Sequence, residues 1–182
     1  MCVATVIKEA RESNKLTQDQ MAYKFGVSRS TYSAYERKTR PIPDDLVLKI
    51  ADEFNDQQII AEFSYEKGTE FFNVPVLDNV DKYPQVVMDI LIEEASEMIK
   101  ALLQIKNIIK NKTRADQIGK DVFERLMEQE EQVGDVYTAL KMHFITMQKY
   151  GVNVKDVERR CVIKLRNKGL IKKEKARLGR TY

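Results

Sequence analysis

The chain has 182 residues, 43% hydrophobic and 32% charged, with seven Gly and four Pro, a composition that excludes disordered, collagenous and low-complexity proteins. Its length suits a domain of about 60 to 70 residues beside a second small one. The formal charge of +3 conceals segregation, since residues 1–50 carry nine Lys and Arg against six Asp and Glu, residues 51–150 eleven against nineteen, and residues 151–182 eleven against three.

Two isolated cysteines, Cys2 and Cys161, match neither a metal motif nor a disulfide framework. A basic leader with an apolar stretch is absent, as is any run of about 18 apolar residues, so a cytoplasmic protein with no membrane partner is expected. The periodicity throughout is helical, and an all-α fold is predicted: a five-helix domain over 1–66, a linker over 67–83, a helical bundle over 84–170 and a basic tail over 171–182.

Val3 to Ser13 forms the first helix, with Val3, Val6, Ile7 and Ala10 on one face. Thr17 and Gln20 have the spacing of a capping box, which starts a second helix running to about Phe25. Gly26 can take positive φ, Val27 plugs the turn, and Ser28 caps a third helix to about Arg37. Such a short turn lets the first of the pair cross a DNA backbone while the second lies in the major groove. Met21, Ala22, Phe25, Val27, Tyr32 and Tyr35 supply the core between them. Asp44 is placed as the cap of a fourth helix closing on Leu46, Ile50 and Phe54.

The run Leu16-Thr17-Gln18, Ala22, Gly26-Val27-Ser28, Tyr35-Glu36 and Arg40-Pro41 resembles the Cro-type (XRE-like) helix-turn-helix family over residues 3–56. The resemblance implies that Gln18 touches phosphate and that Arg29, Ser30, Ser33 and Ala34, following the cap Ser28, face base edges. Arg29 is the strongest reader, because a guanidinium donates two hydrogen bonds to guanine. Lys38, Thr39 and Arg40 suit phosphate contacts. Double-stranded DNA with a palindromic operator is the expected partner, read by a homodimer.

A short helix over 57–64 leads into an irregular connection whose aromatic pair, Phe71 and Phe72, argues for docking rather than free tethering. Beyond Pro84 a long helix runs to about Lys110. One apolar row contains Val87, Leu91, Ala95, Met98, Leu102 and Ile109; a second reads Ile90, Glu94, Glu97, Ala101, Ile105, Ile108. The next helix, to about Tyr150, carries Glu124, Glu128, Glu131, Asp135, Thr138, Met142 and Ile145 in one row. Packed antiparallel, the two would bring carboxylates together, and gathered carboxylates suit Mg²⁺ or Mn²⁺.

Leu91-Ile92-Glu93-Glu94-Ala95-Ser96-Glu97 and Glu130-Glu131-Gln132-Val133-Gly134-Asp135-Val136 resemble the MazG-like all-α nucleoside triphosphate pyrophosphohydrolases. The resemblance implies Mg²⁺ held by Glu94, Glu97 and Asp135, with Glu131 as a substitute ligand because Gln132 stands where the family pattern has Glu. It also implies a nucleoside triphosphate partner, with Lys164 and Asn167 of a last helix, Val154 to about Lys168, contacting it. Gln132 brings no charge, which argues for reduced or lost hydrolysis. The lone His143 reads as a packing or surface residue. Three functions remain open: a DNA-binding regulator, perhaps a repressor of phage type by analogy, whose second domain senses a nucleotide; an active pyrophosphohydrolase; or a repressor whose bundle only dimerises it.

Overall fold

The computed structural model describes residues 2–171, and among them the fold is all-helical. Five short helices, α1 (Val3–Ser13), α2 (Gln18–Lys24), α3 (Arg29–Glu36), α4 (Asp44–Phe54) and α5 (Gln57–Lys67), precede α6 (Pro84–Ile108), α7 (Lys120–Met147) and α8 (Val154–Asn167). The tail expected over 171–182 lies, after its first residue, outside the described residues.

Local chemistry sets the boundaries of the first domain. Thr17 and Gln20 close a capping box on α2, with Gln20 N donating to Thr17 Oγ1 at 3.2 Å and Thr17 N to Gln20 Oε1 at 2.8 Å. Ser28 caps α3 by accepting from Thr31 N at 3.1 Å. Asp44 differs from expectation: Pro43 is the cap position, α4 begins at Asp44 itself, and the Asp44 carboxylate pairs with Lys67 at 2.8 Å.

Val6, Ile7, Met21, Tyr32, Tyr35, Ile50 and Ile59 are buried in one core, against which Phe25 and Val27 pack. A second core gathers Val76, Val87, Met142 and Ile145. α5 belongs to both, since Ile59, Ile60 and Phe63 face the first while Ala61 faces the second.

The connection docks as expected, but through one aromatic only. Phe72 lies edge-on to Tyr137 at 5.8 Å and covers Gly134 so closely that a Cβ there would stand 2.7 Å from the ring. Phe71 is fully exposed. The Lys141 ammonium fastens the same stretch, donating to Glu70 Oε2 at 2.8 Å and to the Val74 carbonyl at 2.7 Å.

α6 and α7 form a long antiparallel hairpin, in which Val87 meets Met142 and Ile145 near the base and Glu94 feels Asp135 farther out. The covered seam of α6 crosses from one expected row to the other. Val87 of the first row is buried and Leu91, Ala95 and Met98 are half-buried, but farther along Ala101, Ile105 and Ile108 of the second row are buried while Leu102 and Ile109 are exposed. The seam follows the single facing helix, and small Ala101 allows the close approach.

Candidate nucleic-acid interface and acidic groove

Glu36, at the end of α3, ties the first three helices together. Its side chain is only 4% exposed and takes Arg11 Nε at 2.5 Å and Nη2 at 3.1 Å, while Gln18 Nε2 donates to Oε2 at 2.8 Å. Arg11 Nη1 also donates to the Leu16 carbonyl at 2.8 Å. Burial raises the Glu36 carboxyl, but the donors Arg11 and Gln18 outweigh it and hold the group below its ordinary range. Burial, with Glu36 beside it, pushes the Tyr32 phenol well up. This network fixes the α2–α3 angle, and it spans residues too distant in sequence for local pattern to reveal.

Gln18 is therefore half-buried, one amide N–H engaged by Glu36 and its position at the start of α2 fixed. Arg29, in the first turn of α3, projects into solvent with its side chain 70% exposed and Asp19 Oδ2 3.3 Å from Nε. That exposed pair is worth little to stability, yet it orients the guanidinium on the outer face of the helix-turn-helix. Ser30 is exposed beside it, its Oγ 2.9 Å from Ser28 Oγ. Ser33 and Ala34 are half-buried on the same helix.

α3 ends in a turn whose third position is Lys38 at φ +62°. Thr39 N returns to the Ala34 carbonyl at 3.0 Å and Lys38 N to the Tyr35 carbonyl at 3.0 Å, the hydrogen-bond pair of a Schellman ending. Glycine ordinarily occupies that position because it has no Cβ to clash; here a lysine does. Lys38, Thr39 and Arg40 are all exposed, and the Arg40 guanidinium lies 6.0 Å from the Tyr35 ring centroid. The structure thus places an exposed arginine on one end of α3 and an exposed basic turn at its other end. Residues 7–55 match the family model of the helix-turn-helix. Over these residues the chain is similar to the XRE-like helix-turn-helix, which supports a DNA-binding regulator. The match ends before α5 and leaves the hairpin outside it. No curated protein and no solved structure matches the chain.

On the hairpin, burial first, then Asp135, Glu97 and Glu93, push the half-buried Glu94 carboxyl above its ordinary range. The antiparallel packing therefore brings Glu94 and Asp135 into one field from opposite helices, as the sequence suggested. Glu97, Glu131 and Asp135 are exposed, and Gln132 is half-buried. Among the described residues no group of three or more His, Cys, Asp or Glu is arranged to hold a metal ion. Among the described residues the acids of one chain thus gather as a negative strip. Lys164 and Asn167 lie exposed on α8 and form no ion pair with the strip among the described residues. His143 packs edge-on to the Phe144 ring at 5.5 Å. No helix among the described residues is long and apolar enough to cross a membrane.

Proposed function

We propose that the chain is a sequence-specific transcriptional repressor that binds a palindromic double-stranded operator as a homodimer. The exposed Arg29 on the first turn of α3 carries the reading, because a recognition helix presents its N-terminal residues to base edges. In this reading Ser30, Ser33 and Ala34 complete the base-facing surface, while Gln18, the N-terminal turn at Ser28, and Lys38, Thr39 and Arg40 set the register on phosphates. Dimerisation is supported by the hairpin, which leaves Ile92, Ile99, Leu102, Leu103 and Phe123 exposed. An apolar surface of this extent on one element marks an interaction site. Arg29→Ala is expected to remove about 1–3 kcal/mol of discrimination at one base pair of each half-site, measured by selection from a random duplex pool followed by competition binding. Unchanged preference in the variant would refute the assignment of α3.

The field shared by Glu94 and Asp135 favours a second reading, in which the acidic strip takes Mg²⁺ or Mn²⁺ with a nucleoside triphosphate and so informs the DNA-binding head. Glu94, Glu97, Glu131 and Asp135 would hold the cation, and Lys164 and Asn167 would meet phosphate. Sensing then requires that the ligand bind the DNA-competent and DNA-incompetent states with different affinity. Calorimetric titration of Mg²⁺ with a panel of (d)NTPs, with product analysis for pyrophosphate, tests binding and turnover together. Neither heat nor product would leave the hairpin as a dimeriser alone; turnover gained by Gln132→Glu would assign the silent reaction to that position.

A further inference from the structure

α8 is a cationic arm of which, among the described residues, only the root is buried and Val157 and Arg166 are half-buried. Only Val154 at its start is buried, and Lys155 there pairs with Asp52 on α4, which holds the arm's root against the DNA-binding head. Beyond the root, Cys161, Val162 and Leu165 are exposed along one side with Glu158 among them, and Arg159, Arg160 and Lys164 are exposed around the other with Ile163 among them. The outer part of the hairpin has the opposite character. Ile92, Ile99 and Leu103, at helical steps of seven and four, form an exposed apolar row on α6, and the exposed Glu93 and Glu97 flank it. Because both surfaces are exposed together, neither covers the other within one chain.

We propose that α8 of one copy lies along the outer face of the α6–α7 hairpin of a second copy, its apolar side on the Ile92–Ile99–Leu103 row and its cations against Glu93 and Glu97. This rests on the dimer reading above and specifies the contact that closes it. The lengths agree: the part of α8 beyond its root, Val157 to Asn167, extends about 15 Å, and Ile92 to Leu103 about 16 Å, at the helical rise per residue. The net charges agree as well: this stretch of α6 carries Asp89, Glu93, Glu94 and Glu97 against Lys100, and α8 carries Lys155, Arg159, Arg160, Lys164 and Arg166 against Asp156 and Glu158, so the hairpin would repel a nucleic acid while attracting a basic helix. DNA on α8 would satisfy its cations but leave Val162 and Leu165 in water. In a twofold dimer the exchange occurs twice, so each copy gives an arm and receives one, and a single pair of complementary surfaces is used in both directions.

Reciprocal charge reversal tests the exchange. One variant carries Arg159→Glu, Arg160→Glu and Lys164→Glu; the other carries Glu93→Lys and Glu97→Lys. Mass is read by light scattering after gel filtration, with helicity by circular dichroism as the check on folding. Each variant alone is expected to dissociate at least tenfold more readily than the parent, and an equimolar mixture to restore the parental dimer, since both contacts of the mixed dimer regain opposite charge. If either triple or double variant loses helicity, Arg160→Glu and Glu97→Lys are mixed and read in the same way. A parental dimer that both variants retain unchanged overturns the arm exchange and leaves the dimer reading standing. A parent that is monomeric at every concentration overturns both.

Discussion

Lys38 stands in the left-handed turn at the end of α3, where a residue with a Cβ is held about 1–2 kcal/mol above glycine. Part of that difference is offset by the larger freedom glycine has in the unfolded chain. Lys38→Gly is accordingly expected to raise stability by about 0.5–1 kcal/mol and the melting temperature by a few degrees. The same change should weaken DNA binding evenly across sequences and reduce the slope of log affinity against log salt by about one phosphate contact. A variant that binds DNA like the parent would show that the lysine does not touch phosphate. Two residues earlier, Glu36 favours the fold through its buried ties to Arg11 and Gln18. Its carboxyl titrates below the unfolded value, so the unfolded chain takes up the proton first. The stabilisation is then complete at neutral pH and drains away as pH falls through and below the ordinary carboxylate range. Glu36→Gln leaves Arg11 with only the exposed Glu12, 3.1 Å from Nη2, as an ionic partner and is expected to cost about 3 kcal/mol at pH 7. Urea melts at descending pH should show parent and variant converging, and a gap independent of pH would contradict the ion-pair origin of the effect.

Lys141 performs the corresponding task between elements, holding the 70–74 stretch onto α7. Both it and Glu70 have side chains only 10% exposed, so Lys141→Met strands a carboxylate and the Val74 carbonyl and should cost about 3 kcal/mol locally. The fully exposed Phe71 makes the loss visible: limited chymotrypsin digestion should cut beside it faster in Lys141→Met, and adding Glu70→Leu should slow the cut again. An unaltered digestion rate would mean that Phe72 on Gly134 suffices to dock the connection. None of this docking could be read from the sequence beyond the aromatic pair, because Lys141 and Glu70 are far apart in the chain and each looks like solvated charge. The helices themselves were legible, since caps at Thr17 and Ser28 and long apolar periods are local signals. The α6 face was legible only in part, because two apolar rows compete there and the packing of the facing helix decides where the seam crosses from Val87 in one to Ala101 in the other. On α5 the apolar residues run around the helix, and the reason is visible only in three dimensions: it serves two cores. At the site, the exposed basic residues of the head followed from motif spacing, whereas the Glu36 network that positions them did not.

Among the described residues, the DNA-binding head meets the rest of the chain through α5, through the Lys155–Asp52 pair, and through a side chain at the end of α7. The Gln148 amide accepts from Gln57 N at 3.0 Å and donates to the Asn55 carbonyl, so it satisfies both backbone groups at the corner between α4 and α5. Asn55 itself is at φ +48° there, and Asp56 caps α5 by accepting from Gln58 N at 2.8 Å. A corner with this geometry moves as a unit with whatever holds it, and here the holder belongs to the hairpin. Any event on α6, α7 or α8, a second copy or a bound ligand, can therefore reach α4 and the head through Gln148 as well as through α5 packing. Gln148→Ala removes two hydrogen bonds at this seam and is expected to cost about 1–3 kcal/mol, chiefly in the coupling rather than in either core. In calorimetry the parent should unfold in one transition, and the variant should broaden or split into two as the cores melt separately. Hydrogen exchange supplies the local readout, with the Gln57 amide losing protection while amides in the middle of α7 keep theirs. A variant that still melts in one sharp transition, with Gln57 protected, would show that the coupling of the head to the hairpin does not depend on Gln148.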